Sequence, residues 1–243
     1  GVSGAGALRG SGTASHTGTV TLATASAIGA ATLTDTLSLN NPVTGLGLTK
    51  VGSGTVNLSG SNRYVGGTTI EAGTLRLLGG ATLPSLGAVN LTGSGILDLN
   101  NTNQSIGDLA GTVDTRIDLG SGDLTVTQAA AGSFAGRVAG SGDLTKQGTA
   151  QLSLSGASSG YSGTTRVEAG TLVATGSGSA LGTGSSSSYG STSSTSGTSM
   201  SSTRGSMRIS ISTRSAPKRA TSNVKYRFVC SISRANTIRS AES

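Results

Sequence analysis

The sequence predicts an all-β fold, a right-handed parallel β-helix, followed by a disordered C-terminal tail. Three observations carry that expectation. Small residues dominate the composition, apolar residues alternate over short runs, and one long pattern is written twice.

The chain has 40 Gly, 3 Pro, no Trp, one Cys and one His, and only 2% of its residues are aromatic. Few large side chains are left to fill a compact globular core. Gly follows no strict three-residue period, which excludes collagen. The recurrence of Leu, Val and Ile in short runs argues against disorder over residues 1–183. "TVNL" (Thr55 to Leu58) and "QLSL" (Gln151 to Leu154) alternate with the period of a half-buried strand. "TGTVTL" (from Thr17), "TLSL" (from Thr36), "AVNL" (from Ala88), "GILDL" (from Gly95), "RIDL" (from Arg116) and "GDLTV" (from Gly122) read the same way. No stretch shows a helical stripe.

The repeat lies at residues 48–77, "LTKVGSGTVNLSGSNRYVGGTTIEAGTLRL", and 144–174, "LTKQGTAQLSLSGASSGYSGTTRVEAGTLVA". The offset is 96 up to Gly60/Gly156 and 97 from Tyr64/Tyr161, because the second copy carries one inserted residue. Lys50/Lys146, Tyr64/Tyr161, Glu71/Glu168 and Gly73/Gly170 fall in register. Matching Gly alone could be chance in so Gly-rich a chain; matching Lys, Tyr and Glu is not. Each copy reads as about three strands with sharp corners, too thin to bury an apolar face alone. It must stack on neighbours, which is the logic of a solenoid. At about 20 residues per coil, residues 1–183 make roughly nine coils. At about 4.8 Å per coil the rod is ~40 Å long, and its two ends are open strand edges that need capping. Gly73 and Gly170 are expected at corners with positive φ, with Glu71 and Glu168 facing solvent. Tyr64 and Tyr161 are expected as partly buried rings over the Gly-lined bends; the competing reading is an exposed ligand-stacking pair.

The two copies resemble the autotransporter-associated beta strand repeat, also called the passenger-associated transport repeat. The resemblance rests on the opening Leu-Thr-Lys, the spaced Gly, the alternating Leu strand, Asn62, Tyr64, Gly66, Gly67 and the closing Ala-Gly-Thr-Leu. The second copy departs at Ala150, Gly160 and Thr164. "GAGALRGSG" and "GILDLNNTNQSIGDLAG" are also similar to segments flanking such repeats. The resemblance implies a bacterial surface or secreted passenger, a stalk or adhesin scaffold exported through an outer-membrane β-barrel translocator. It further implies a role for the repeat in passenger export or folding. The given residues show no signal peptide, no set of barrel strands and no 18-residue apolar run. The expectation is a piece of a passenger, or a truncated one, with no membrane span of its own.

No catalytic, cofactor-binding or metal-binding residue is assigned. His16 is the one possible base for a triad, and in the Ser/Gly-rich turn expected there a solvated or capping role is the simpler reading. One His and one Cys, Cys230, cannot make a structural zinc site. "GSGD" at Gly120 and Gly140 reads as a turn before a strand. The best enzymatic lead is the carboxylate set Asp98, Asp108, Asp114, Asp118 and Asp123. In a β-helix polysaccharide lyase or glycosidase, such groups from adjacent coils would share a face. Asp114, Arg116 and Asp118 would share one strand face if the strand is regular, with Arg116 making them a solvated charge ladder. The reading is therefore a non-enzymatic passenger, with the polysaccharide-degrading enzyme as the alternative.

Residues 184–243 break from this pattern. They hold 20 Ser and nine basic residues against Glu242 alone, a net +8, while residues 1–183 carry a net −1. The basic isoelectric point therefore belongs to the tail. Nucleic-acid binding through phosphate contacts is disfavoured, since interleaved aromatics and recognisable motifs are lacking. Disorder is the expected state, because so little apolar surface cannot offset the ordering entropy of about 1–2 kcal/mol per residue. "ALGTG" (from Ala180) parallels "PSLGAVNL" (from Pro84), yet the strand expected after it is missing from the sequence pattern. The abrupt switch suggests a changed reading frame. Translating the coding DNA downstream of Gly184 in its other two frames should restore alternating Thr/Val/Leu strands with Gly turns. If neither frame does, the tail is a genuine basic segment.

Overall fold

A computed structural model describes residues 6–175, 180–188 and 207–211. The chain winds into a parallel β-solenoid of about nine coils, with no helix among the described residues. Each full coil passes three faces. The first face holds ten strands, from Leu8–Gly10 through Ser26–Ala30, Leu48–Val51 and Thr68–Ile70 to Gly170–Ala174, with Met207–Ile211 at its edge. The second face holds seven, from Thr13–His16 to Arg137–Ala139. The third is split. Three strands end at Arg63–Tyr64, an isolated bridge Ser61–Thr82 follows, and five more run from Gln104–Ile106 to Ser186–Ser188. The split leaves a trough of about 690 Å³ at whose rim Val65 and Leu86 are exposed.

The strands form where the sequence alternates, because only then can one side of each residue pair face the interior. Thr36–Leu39, Thr55–Leu58 and Gln151–Leu154 each bury every second residue. Parallel in-register pairing then stacks like on like. On the second face Leu37, Val56, Leu75, Leu97, Ile117 and Val138 form one column, and none is more than 3% exposed. Each such side chain contributes roughly 1.5–3 kcal/mol by burial, an upper figure for an extended unfolded chain.

The two repeat copies do not occupy equivalent faces. In the first, Leu48–Val51 lies on the first face and Thr55–Leu58 on the second. In the second, Leu144–Gln147 lies on the third face and Gln151–Leu154 on the first. The repeat therefore recurs rotated by one face, four coils and two faces further along. The recurring element is a corner, and a corner between any two faces serves. The copies are also longer than three strands. Leu48–Val51 and Leu144–Gln147 are strands as well, obscured in the sequence because a Lys occupies an inward position in each.

At the corner itself Gly73 has φ 64° and Gly170 has φ 71°, as expected. A Cβ on Gly73 would run into the carbonyl oxygens of Gly52 and Gly54 in the coil below. Glu71 is exposed, while Glu168 is half-buried and its Oε2 accepts a 2.8 Å hydrogen bond from Gln147 Nε2.

The tail departs from expectation where it is described. The strand missing from the sequence pattern is present as Ser186–Ser188, pairing Thr165 with Ser186 just as Thr68 pairs with Val89. Its physical basis is that a ladder needs backbone groups, not apolar side chains, to extend by one coil. Met207–Ile211 then pairs antiparallel with Gly170–Ala174, the one antiparallel pairing among the described strands. The disorder expected for the remainder of 184–243 falls outside the described residues, as does Cys230.

Replacing Gly73 with Val should destabilise the solenoid by about 1–3 kcal/mol through backbone strain and collision with the coil below. Denaturant unfolding of the variant beside the parent measures this; an unchanged midpoint contradicts the corner.

Candidate functional site

The repeat's matched residues converge on one arrangement in each copy. Lys50 sits on the first face between Ile28 and Ile70, and Lys146 on the third between Val126 and Val167. Both are fully buried. Lysine is almost never enclosed without partners. Here the partners are backbone carbonyls. Lys50 Nζ donates to the oxygens of Val51 at 3.0 Å, Gly52 at 2.7 Å and Ala72 at 2.8 Å. Lys146 Nζ donates to Gln147 at 2.6 Å, Gly148 at 2.8 Å and Ala169 at 3.2 Å. An ammonium has three N–H bonds and no acceptor, so each lysine is satisfied. Two acceptors belong to its own corner and the third to the corner of the next coil. The side chain thus fastens two stacked "Gly" corners from inside, where the tight turn takes their carbonyls out of the strand ladder.

Burial drives the Lys50 ammonium down from 10.5 to about 8. Lys146 is also lowered by burial, opposed by the Asp108 carboxylate.

The tyrosines complete the corner. Tyr64 and Tyr161 are each 1% exposed, so they are fully rather than partly buried, and the ligand-stacking reading fails. The Tyr64 and Thr68 hydroxyls share a 2.7 Å hydrogen bond. The Tyr161 hydroxyl accepts from Leu144 N at 3.1 Å and donates to Thr164 O at 2.9 Å. Burial raises both phenols above their ordinary range. Phe134, the other aromatic before residue 184, is buried as well.

Neutral side chains secure other bends; Asn62 stands in the repeat pattern, whereas no periodicity marks Gln104 or Gln128. Buried Gln104 accepts from Leu83 N at 3.0 Å and donates to Ala81 O at 2.8 Å. Gln128 accepts from Leu109 N at 3.1 Å and donates to Ala130 O at 2.9 Å. Asn62 accepts from Val43 N at 2.8 Å and donates to Thr82 O at 3.0 Å.

The carboxylates do not gather into a catalytic pair. Asp98 and Asp118 are register partners on adjacent coils. Each faces an arginine, Arg76 Nε at 2.7 Å and Arg116 Nη2 at 2.6 Å respectively. Asp114 lies in the turn before Arg116–Asp118 rather than on its face, so the expected three-residue alternation is cut to two. Asp108 accepts from Ala129 N at 2.6 Å and Ala130 N at 3.1 Å. The two "GSGD" turns stack one coil apart. Asn103 Oδ1 accepts from Asp123 N, Asp123 Oδ1 from Asp143 N, and Asp143 Oδ1 from Thr164 N, at 2.9, 2.8 and 2.7 Å. His16 is the exposed last residue of strand Thr13–His16, not a turn residue. No group of three or more His, Cys, Asp or Glu among the described residues could hold a metal ion. No described helix is long and apolar enough to cross a membrane.

Two outcomes follow for Lys50. Lys50→Met keeps the apolar stem but strands three carbonyls, and should cost about 1–3 kcal/mol at pH 7 in denaturant unfolding. The pH dependence has a fixed sign. Between about 8 and 10.5 the unfolded lysine holds a proton that the folded one has released, so stability rises with pH across that window. The expected gain from pH 8 to 10 is about 1–2 kcal/mol, discounted for screening, and Lys50→Met should flatten it. Above pH 10 the buried Tyr64 keeps a proton that the unfolded chain loses, and stability should fall again.

Comparison with known proteins agrees with this geometry. The passenger-associated-transport-repeat family matches residues 48–77 and 144–174, the two segments that carry the buried-lysine corners. The adhesin BmaC autotransporter of Brucella suis biovar 1 (strain 1330) is 33% identical over an alignment covering 59% of this chain. The aligned part spans 4% of that protein's length. No solved structure matches the chain. The chain is thus a parallel β-solenoid that carries the passenger-associated-transport repeat at both buried-lysine corners and is similar to a short part of an autotransporter adhesin.

Proposed function

We propose that the chain is a non-enzymatic stalk or adhesin scaffold within a surface passenger, and that its repeats assist export and folding. The export route would be an outer-membrane β-barrel translocator, as in autotransporters generally. The observation that carries the reading is the reach of the two lysines. Lys50 binds a carbonyl 22 residues ahead and Lys146 one 23 residues ahead. Each lock therefore closes as soon as one further coil is available and needs nothing more distant. A chain emerging end-first could fold coil by coil, each lock holding the newest coil to the last. Contacts of this kind are local on the scale of a repeat, and folding can propagate from neighbour to neighbour.

The non-enzymatic part is supported by what the acidic groups do. Asp98, Asp108, Asp118, Asp123 and Asp143 are engaged by arginines or by backbone N–H groups. A carboxylate already tied to a guanidinium or a turn is poorly placed to move a proton or attack a sugar.

The test uses the chain in its natural polypeptide, expressed at the bacterial surface. The double variant Lys50→Met, Lys146→Met should reduce the fraction accessible to external protease while total synthesis is unchanged. Equal display of parent and variant would remove the export role. In parallel, release of reducing ends from bacterial and plant polysaccharides should stay at background. Turnover that disappears on Asp118→Asn would overturn the non-enzymatic reading.

A further inference from the structure

The second face stops at Arg137–Ala139, and the next coil passes over it as a turn through Gly156 to Gly160. The face therefore ends in a step. A concavity of about 220 Å³ lies there, lined by Arg116, Arg137, Val138, Ala139, Ala157, Ser159 and Gly160.

Charge at the step is unbalanced. Arg116 and Arg137 are direct cross-strand partners, and like charges in that relation repel. Asp118 is the carboxylate beside them, bound by Arg116 Nη2 at 2.6 Å. Its partner on the following coil is Ala139, so the acidic column ends. Asp98, one coil back, is held by Arg76 and by Asn100 N. Arg137 is exposed and its guanidinium has no hydrogen-bond partner among the described residues. Arg116 Nε is likewise unpaired, and shielded from solvent. Two stacked guanidiniums thus stand beside one carboxylate, which among the described residues only Arg116 binds, at a hollow otherwise walled by Val138, Ala139, Ala157, Ser159 and Gly160.

We propose that this step binds an oxyanion, the sulfate or carboxylate group of an acidic saccharide. Guanidinium presents a planar fork of N–H donors matched to such groups. Two forks about one strand spacing apart, ~4.8 Å, can hold different oxygens of one anion. The Ser159 hydroxyl and the small walls leave room for hydroxyl groups around the charge and offer no aromatic surface to an apolar ligand. An anion here removes the Arg116–Arg137 repulsion that the fold leaves in place. The site rests on this geometry and is independent of the stalk reading.

The experiment is an NMR titration of the whole chain with glucose 6-sulfate, sodium glucuronate and, as control, sodium chloride at matched ionic strength. Saturable shifts are expected at the amides of Arg137, Ser159 and Gly160 with at least one of the two sugars. Saturation by the sulfated sugar alone assigns a sulfate, and by glucuronate alone a carboxylate. Arg137→Gln, an exposed change, should weaken the apparent affinity at least fivefold, whereas Arg63→Gln on the third face should leave it unaltered. Shifts that track chloride without saturating, or an affinity that Arg137→Gln does not change, overturn the proposal.

Discussion

Everything in this solenoid depends on where backbone carbonyls and amides go when the chain turns. Within a face the answer is automatic, since each strand lies between two others and the ladder satisfies both sides. At the bends it is not. The carbonyls of Val51 and Gly52 leave the ladder, and something must meet them. An inward lysine does so in two places, buried amides of Gln and Asn do so elsewhere, and a row of Asn103, Asp123 and Asp143 holds outer turns. The scarcity of large residues follows from the same constraint. Chain segments only one strand spacing apart leave little width for bulk, and columns of Leu, Val and Ile fill what there is.

The choice of a charged group for the busiest corner has a physical logic. A neutral amide has two N–H donors and also brings an acceptor that would need its own partner. The ammonium has three donors and none to receive. It can gather three converging oxygens, including one from the adjoining coil, at the expense of desolvating its charge. The lowered titration point of Lys50 is the visible sign of that expense.

Much of the fold was legible in the letters. Alternation marked the strands at Thr36–Leu39 and Thr55–Leu58 to the residue, and the paired Gly73 and Gly170 marked the bends. What stayed hidden was information about partners one coil away. Lys50 looks like a surface residue in "LTKV" because the three oxygens that accept its protons are contributed by the bend and by a residue 22 positions on. Gln104 and Gln128 look like solvent-facing polar residues for the same reason. Ser186–Ser188 reads as the end of the pattern because side-chain periodicity is the sequence signal, whereas the ladder it joins is made by the backbone. Asp98 and Asp118 were recognised as a set, but which arginine each would meet depended on a register that the letters do not print.

The stepped placement of the two repeats affects how such a rod presents itself. The second copy turns its corner toward a different side from the first. Surface features that travel with the repeat are therefore distributed like marks on a screw thread instead of along one meridian. Two such marks on adjoining flanks cannot both meet one flat surface at a single roll of the rod about its long axis.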